Sequence, residues 1–180
     1  MLYMEDFIMP CYSPITGYMS KKLSDKGKRY IVFNPKDGFV DMPMTIPCGQ
    51  CIGCRLEKSR QWAIRCVHEA SLHKNNAFIT LTYNNENLPK DGSIQKREMQ
   101  LFMKRRRKQY GEGIRFYGAG EYGDLLGRPH YHIIVFNIHI TDLVLISIRQ
   151  GIKLYKSETL SKVWPFGYSS VGDVTFESAA

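Results

Sequence analysis

GEYGDLLGRPHYHIIVF, from Gly120 to Phe136, sets two histidines one residue apart at the start of an apolar run, with a glutamate nine positions before the first of them. The run is rich in β-branched and aromatic residues and reads as a strand. Residues i and i+2 of a strand share a face, so His130 and His132 point one way and Tyr131 the other. IRFYGAGEYG (114–123) reads as a second strand, and a turn around Asp124 to Gly127 makes the two a β-hairpin, with Pro129 at the beginning of its strand. With the turn centred near Leu126, opposed residue numbers sum to roughly 251 to 253, which sets Glu121 across from His130 or His132 on the same face. Two neutral nitrogens and a carboxylate with positions left open suit a divalent ion. The competing reading is a pair of half-buried strand histidines beside a surface carboxylate, and spacing alone leaves the two level.

Outward from the hairpin, AFITLTY (77–83) alternates as a strand and NNENLPKDGS (84–93) reads as a loop. Ser93 is placed to cap a helix running to about Tyr110, with Ile94, Leu101 and Phe102 available for burial and Gly111 and Gly113 ending it. Arg55 to Leu72 has a helical pattern, Leu56, Ala63, Val67 and Ala70 inside and Arg55, Lys58, Arg60 and Arg65 outside. TDLVLISI (141–148) fits strand or helix, SETLSKVW (157–164) a helix capped by Ser157, and GYSSVGDVTF (167–176) a last strand. Residues 1–47 read as irregular, with one hairpin at most.

With 25 Lys+Arg against 17 Asp+Glu the net charge is +8, which favours a polyanionic partner such as nucleic acid or an anionic membrane face. The longest apolar stretch, Ile133 to Ile148, is broken by Asn137, His139, Thr141 and Asp142, so no transmembrane helix is expected. MLYMEDFIMP, at the start, has acids and no basic region, unlike a secretory signal peptide, and a reducing cytoplasm is the expected compartment.

Of five cysteines, Cys48, Cys51 and Cys54 fall within seven residues, immediately before the first helix. In a reducing compartment that clustering favours metal over disulfide. Zinc wants four ligands, with Cys11 the leading candidate for the fourth and Cys66 second; Cys66 also fits a buried core position beside Ala63 and Ala70. Free thiols or an iron–sulfur cluster are the alternatives.

FITLTY, then GEYG, then GRPHYHIIVF resembles motifs I and II of the HUH endonucleases, the rolling-circle replication initiators, and is most similar to the initiators of gokushovirus-type single-stranded DNA phages. CGQCIGCRLEKSRQWAIRC and SETLSKVWPFGY with VGDVTFESAA extend the resemblance over nearly the whole chain. It implies an α+β fold, an antiparallel sheet with helices on one side (HUH/RRM-like) behind a Cys-rich N-terminal segment, divided as residues 1–54 and 55–180. It further implies Mg²⁺ or Mn²⁺ on His130, His132 and Glu121, Glu121 being the ligand that varies among HUH groups. Single-stranded or origin DNA would be nicked by a tyrosine in a bacterial host cytoplasm, alongside host replication machinery and away from membranes.

The tyrosine-and-lysine motif that the resemblance implies after the last strand does not occur in these 180 residues. Tyr155 and Tyr168 are weak substitutes, and the chain as written is expected to bind metal and DNA without efficient nicking. KRRRK, Lys104, Arg105, Arg106, Arg107 and Lys108, reads either as a solvated helix end or as a contact to the DNA backbone. Arg128 is placed to touch the phosphate near the cut, and Tyr117, Tyr122 and Tyr131 to stack on bases or simply to pack. His68, His73 and His139 have no partner at ligand spacing. The rival readings are a noncatalytic zinc-stabilised nucleic-acid module and an RRM-like RNA binder, for which FITLTY and IRFYGAG are poor matches.

Overall fold

A computed structural model describes residues 11–111, 113–124, 126–149 and 151–179, so the MLYMEDFIMP segment lies outside the described residues. The chain divides into two compact units, Met1–Gln61 and Trp62–Ala180.

In the first unit, β1 (Ile15–Ser20), β2 (Ile31–Val32) and β3 (Gly38–Ile46) form an antiparallel sheet in the order β2-β1-β3. This is more order than one hairpin. The strands were hard to read because their side chains are mostly exposed and they contain Gly17 and Pro43. Both have structural reasons. A Cβ at Gly17 would fall 2.3 Å from Ile46 Cδ1, and Pro43 lies in an edge strand, the place where a missing N–H is tolerated. Helix α1 (Ile52–Ser71) starts before the expected Arg55, so Cys54 sits in its first turn.

The second unit continues with β4 (Asn76–Tyr83), α2 (Lys96–Tyr110), β5 (Arg115–Tyr122), β6 (Pro129–Phe136), β7 (Leu143–Arg149), β8 (Ile152–Ser157), α3 (Glu158–Val163), β9 (Gly167–Gly172) and α4 (Phe176–Ala179). Its sheet is antiparallel throughout, in the order β5-β6-β4-β9-β8-β7, so the α+β expectation holds and TDLVLISI is an edge strand. The alternation in β4 buries Ala77, Ile79, Leu81 and Tyr83 with Tyr131, Ile133 and Val135 of β6 against Phe102 and Met103 of α2 and Leu160 of α3. Full burial of aliphatic side chains such as Ile79 and Leu81 contributes about 1.5–3 kcal/mol each. Trp164, 1% exposed, closes this core and donates its indole N–H to Thr82 O at 3.0 Å.

The opposite face carries Phe78, Thr80 and Thr82 of β4 beside His130, His132, Ile134 and Phe136 of β6. Helices are not confined to one side: Ala63 and Cys66 of α1 and Ala179 of α4 pack on Ile134 and Phe136. Cys66 takes the inner position, while Leu56 (61%) and Val67 (37%) stay exposed, contrary to the expected helix face. Ser93 does not cap α2. Its hydroxyl donates to Asp91 Oδ2 at 2.6 Å, and α2 begins after Gln95 without a side-chain cap.

Candidate metal centre

β5 and β6 pair with Glu121 directly opposite His130 and Ala119 opposite His132, within the expected range of offsets. Glu121 Oε1 lies 2.9 Å from His130 Nε2 and 2.8 Å from His132 Nε2. The other nitrogen of each ring is also engaged. His130 Nδ1 stands 3.1 Å from Arg128 O, and His132 Nδ1 stands 3.1 Å from Thr80 Oγ1, from the residue opposite it in β4. Phe78 stacks on the His132 ring with centroids 5.2 Å apart.

A carbonyl only accepts, so Nδ1 of His130 carries the proton and Nε2 of the neutral ring offers a lone pair to Glu121. Two acceptors at that distance need a proton or a cation between them. Burial lowers the pKa of His132 below its ordinary 6.5, against the pull of Glu121. Burial opposes ionisation of Glu121, but hydrogen bonding from His130 and the charges of both rings outweigh it, and the carboxyl ends below its ordinary value. A carboxylate facing imidazoles that resist protonation is a donor set that fits a divalent cation, and one ligand atom from each residue falls within 4.8 Å of the others.

A second convergence lies in the first unit, where one sulfur each from Cys11, Cys48, Cys51 and Cys54 also falls within 4.8 Å of the rest. Cys48 Sγ and Cys54 Sγ are 4.0 Å apart, as are Cys51 Sγ and Cys11 Sγ. Backbone N–H groups point at the sulfurs, Cys48 N at Cys11, Cys51 N at Cys48 and Cys54 N at Cys51. The Cys54 amide, with that of Tyr12, draws the Cys51 thiol down to about 6, whereas burial pushes Cys54 up to about 12. All five cysteines are free, and Cys66 is buried within the second unit.

The remaining candidates divide. Arg106 is 0% exposed and donates from Nη1 to Gln109 Oε1, so burial removes it from the KRRRK backbone contacts. Lys104 and Lys108 are exposed; Arg105 donates to Val163 O at 3.3 Å and Arg107 lies 5.3 Å over the Phe116 ring. Arg128 is not free to reach a phosphate, because its guanidinium donates to Tyr83 O at 2.9 Å and to Asn85 Oδ1. Tyr131 is fully buried and cannot stack on a base. Tyr155 packs against the core under α2 and α3, on the face away from Glu121, which removes it as a nucleophile. Tyr168 is 70% exposed and opposes Thr82, itself opposite His130, so it shares the histidines' face. Sequence reading missed Thr80 and Phe78 as supports of His132. Their signal was the alternation of FITLTY, which puts both on one face.

Residues 76–180 match a family model for replication-associated proteins of the ORF2 type. The chain is 33% identical over 165 residues to a replication-associated protein ORF2 of Spiroplasma virus 4, covering 86% of this chain and 48% of that protein. It is 36% identical over 143 residues to a replication-associated protein VP4 of Bdellovibrio phage phiMH2K, covering 74% and 45%. A replication-associated protein ORF4 of Chlamydia phage 1 is 34% identical over 139 residues, covering 72% and 35%. The chain thus spans about half, or less, of the length of the curated relatives it matches. No solved structure matches it significantly.

Proposed function

The chain belongs to the ORF2-type family of replication-associated proteins, and from that membership we propose that it is part of a phage rolling-circle replication initiator of the HUH endonuclease type. The whole protein would nick single-stranded or origin DNA in the host cytoplasm, beside host replication machinery. The observation that carries this reading is the convergence of Glu121 Oε1 on the Nε2 atoms of His130 and His132.

His130 and His132 would hold Mg²⁺ or Mn²⁺ through Nε2, with Glu121 as the carboxylate. A bound ion of that kind supplies Lewis-acid polarisation of a phosphate oxygen. The chain's own part is orientation: Arg128 O and Thr80 Oγ1 hold the rings from behind, and Phe78 fixes the plane of His132. The excess of basic residues draws the DNA backbone to the protein, with Lys104, Arg105, Arg107 and Lys108 as proposed contacts. In the proposed nick a tyrosine oxygen bonds to phosphorus, the P–O3′ bond breaks, and the tyrosine proton ends on the released 3′ oxygen. Tyr168 is on the correct face for that role and Tyr155 is not.

The four converging cysteines support a structural zinc. Four ligands at about 2.3 Å in a tetrahedron stand about 3.8 Å apart, close to the 4.0 Å sulfur separations of Cys48–Cys54 and Cys51–Cys11.

Calorimetric titration of Mn²⁺ into the protein and into a His130→Ala/His132→Ala variant tests the reading, since Mn²⁺ prefers nitrogen and oxygen to thiolate. Saturable binding lost in the variant is expected. Binding that is absent, or indifferent to the substitutions, would leave a noncatalytic nucleic-acid module as the better account.

A further inference from the structure

Beside the metal centre the sheet face opens into a cavity of about 620 Å³, whose wall includes Glu121, His132 and the ring of Tyr117. Its existence traces to one residue. Gly172 of β9 pairs with Phe78 of β4, so a side chain there would share the face of His132, and a Cβ at Gly172 would meet no heavy atom nearer than Lys153 O at 3.8 Å. The missing side chain leaves the space open.

Tyr117 is held in position from outside the cavity. Its ring stacks on Trp62 of α1 at 5.0 Å with an interplanar angle of 19°, and the Arg65 guanidinium lies 5.0 Å over the same indole. Tyr117, Ala119 and Glu121 alternate along β5, so the aromatic wall and the carboxylate lie on one strand face, four residues apart. Apolar surface from Phe78, Ile134 and Leu154 lines the interior, and Asp173 and Glu177 stand at its edge.

We propose that this cavity is a nucleobase subsite: an unpaired base next to the phosphate at the metal centre leaves the strand and stacks on Tyr117. The inference rests on the DNA-nicking reading and deepens it. The volume falls in the roughly 300–1,000 Å³ range of small-ligand sites. Carboxylates at the edge repel phosphate, so the backbone stays at the metal centre and the uncharged base enters. The same carboxylates accept from exocyclic amino groups, which favours cytosine and adenine over thymine. A braced aromatic wall beside a backbone-binding site is the arrangement by which single-strand binders gain base-dependent, sequence-tolerant affinity.

The test is fluorescence anisotropy with 15-nucleotide dC, dA and dT strands and a fully abasic strand of equal charge, all with Mn²⁺ at fixed salt. The parent is expected to bind dC and dA about tenfold or more tighter than the abasic strand, with dT weaker than either. Tyr117→Ala should cut the ratio of base-bearing to abasic affinity at least threefold, and Tyr117→Phe should keep it. Gly172→Leu fills the cavity without touching Tyr117 or Trp62 and should lower the ratio likewise. If DNA binds but the ratio is unchanged in both Tyr117→Ala and Gly172→Leu, the subsite is wrong and the nicking reading survives. If the parent binds none of the strands, the function proposed above fails and takes this inference with it.

Discussion

Thr80 Oγ1 lies 3.1 Å from His132 Nδ1, so the ring can turn only its Nε2 toward Glu121. The hydroxyl comes from the strand on the far side of the histidine from Glu121, and register alone delivers it, Thr80 being opposite His132 and His132 opposite Ala119. Thr80→Val keeps the shape and removes the partner. Outer partners of metal-binding histidines are worth 10- to 100-fold in affinity, so Mn²⁺ should bind Thr80→Val about tenfold more weakly in the same titration. Equal affinity would show that packing of Phe78 on the ring suffices to orient it.

The cysteine centre makes a separate prediction, readable by metal analysis. Protein purified without chelator should carry about one zinc per chain, as a closed four-thiolate site requires. Cys51→Ser should lose the metal, since Cys51 is the thiol drawn lowest, to about 6, and so the readiest thiolate. Cys66→Ser should retain it, because Cys66 is buried among Ala63, Ile134 and Phe136. Zinc loss in both variants would place the metal elsewhere or make it adventitious.

Periodicity made the centre legible because a hairpin is local: a short turn fixes the register, and register fixes which side chains meet. Glu121, His130 and His132 needed only that. Thr80 and Gly172 come from β4 and β9, whose positions depend on long-range pairing, and a sequence read in windows gives no offset for them. Arg106 shows the complementary failure. In KRRRK it reads like its neighbours, but the helical period turns one residue of that run inward beside Phe102 and Met103, where its hydrogen bond to Gln109 stays within α2. The first unit's sheet was illegible for a further reason, since strands with mostly exposed side chains carry little alternating hydrophobicity.

The start of α3 is built on Asp142, giving a pH dependence independent of the metal. Asp142 Oδ2 accepts from Thr159 N at 2.8 Å and Oδ1 from Ser157 Oγ at 2.7 Å, while Ser157 Oγ accepts from Leu160 N at 3.0 Å. The Thr159 amide, then the Ser157 hydroxyl, lower the carboxyl from 3.8 to about 2. A depressed folded-state value means that the ionised form favours folding, so this stabilisation is complete above 3.8 and drains away as the pH falls toward about 2. Asp142→Asn should therefore be less stable than the parent at pH 7, with the gap narrowing as acid is added. A gap that stays constant from neutral pH into acid would assign the effect to shape and not charge. Ser157→Ala should cost about 1 kcal/mol as a lost helix cap.

Trp164 joins the core to the face that carries the histidines. Its ring makes tilted or edge contacts with Tyr83, Phe102, Tyr131 and Phe166, and its N–H is the partner of Thr82 O, on the residue opposite His130. Trp164→Ala should lose about 3–5 kcal/mol of unfolding free energy, the usual cost of emptying a large aromatic site. Trp164→Phe restores most of the volume but leaves the carbonyl unpaired, for about 1–3 kcal/mol. Urea unfolding measures both. The carbonyl is also pinned from the other side of the crossing: Gly167 passes so close that a Cβ there would fall 2.2 Å from Thr82 O. Gly167→Ala should then weaken Mn²⁺ binding as well as stability, by displacing the β4 backbone beside His130. If Gly167→Ala loses stability while its Mn²⁺ affinity stays at the parent value, the histidine pair holds its geometry without this support, and the hairpin alone defines the centre.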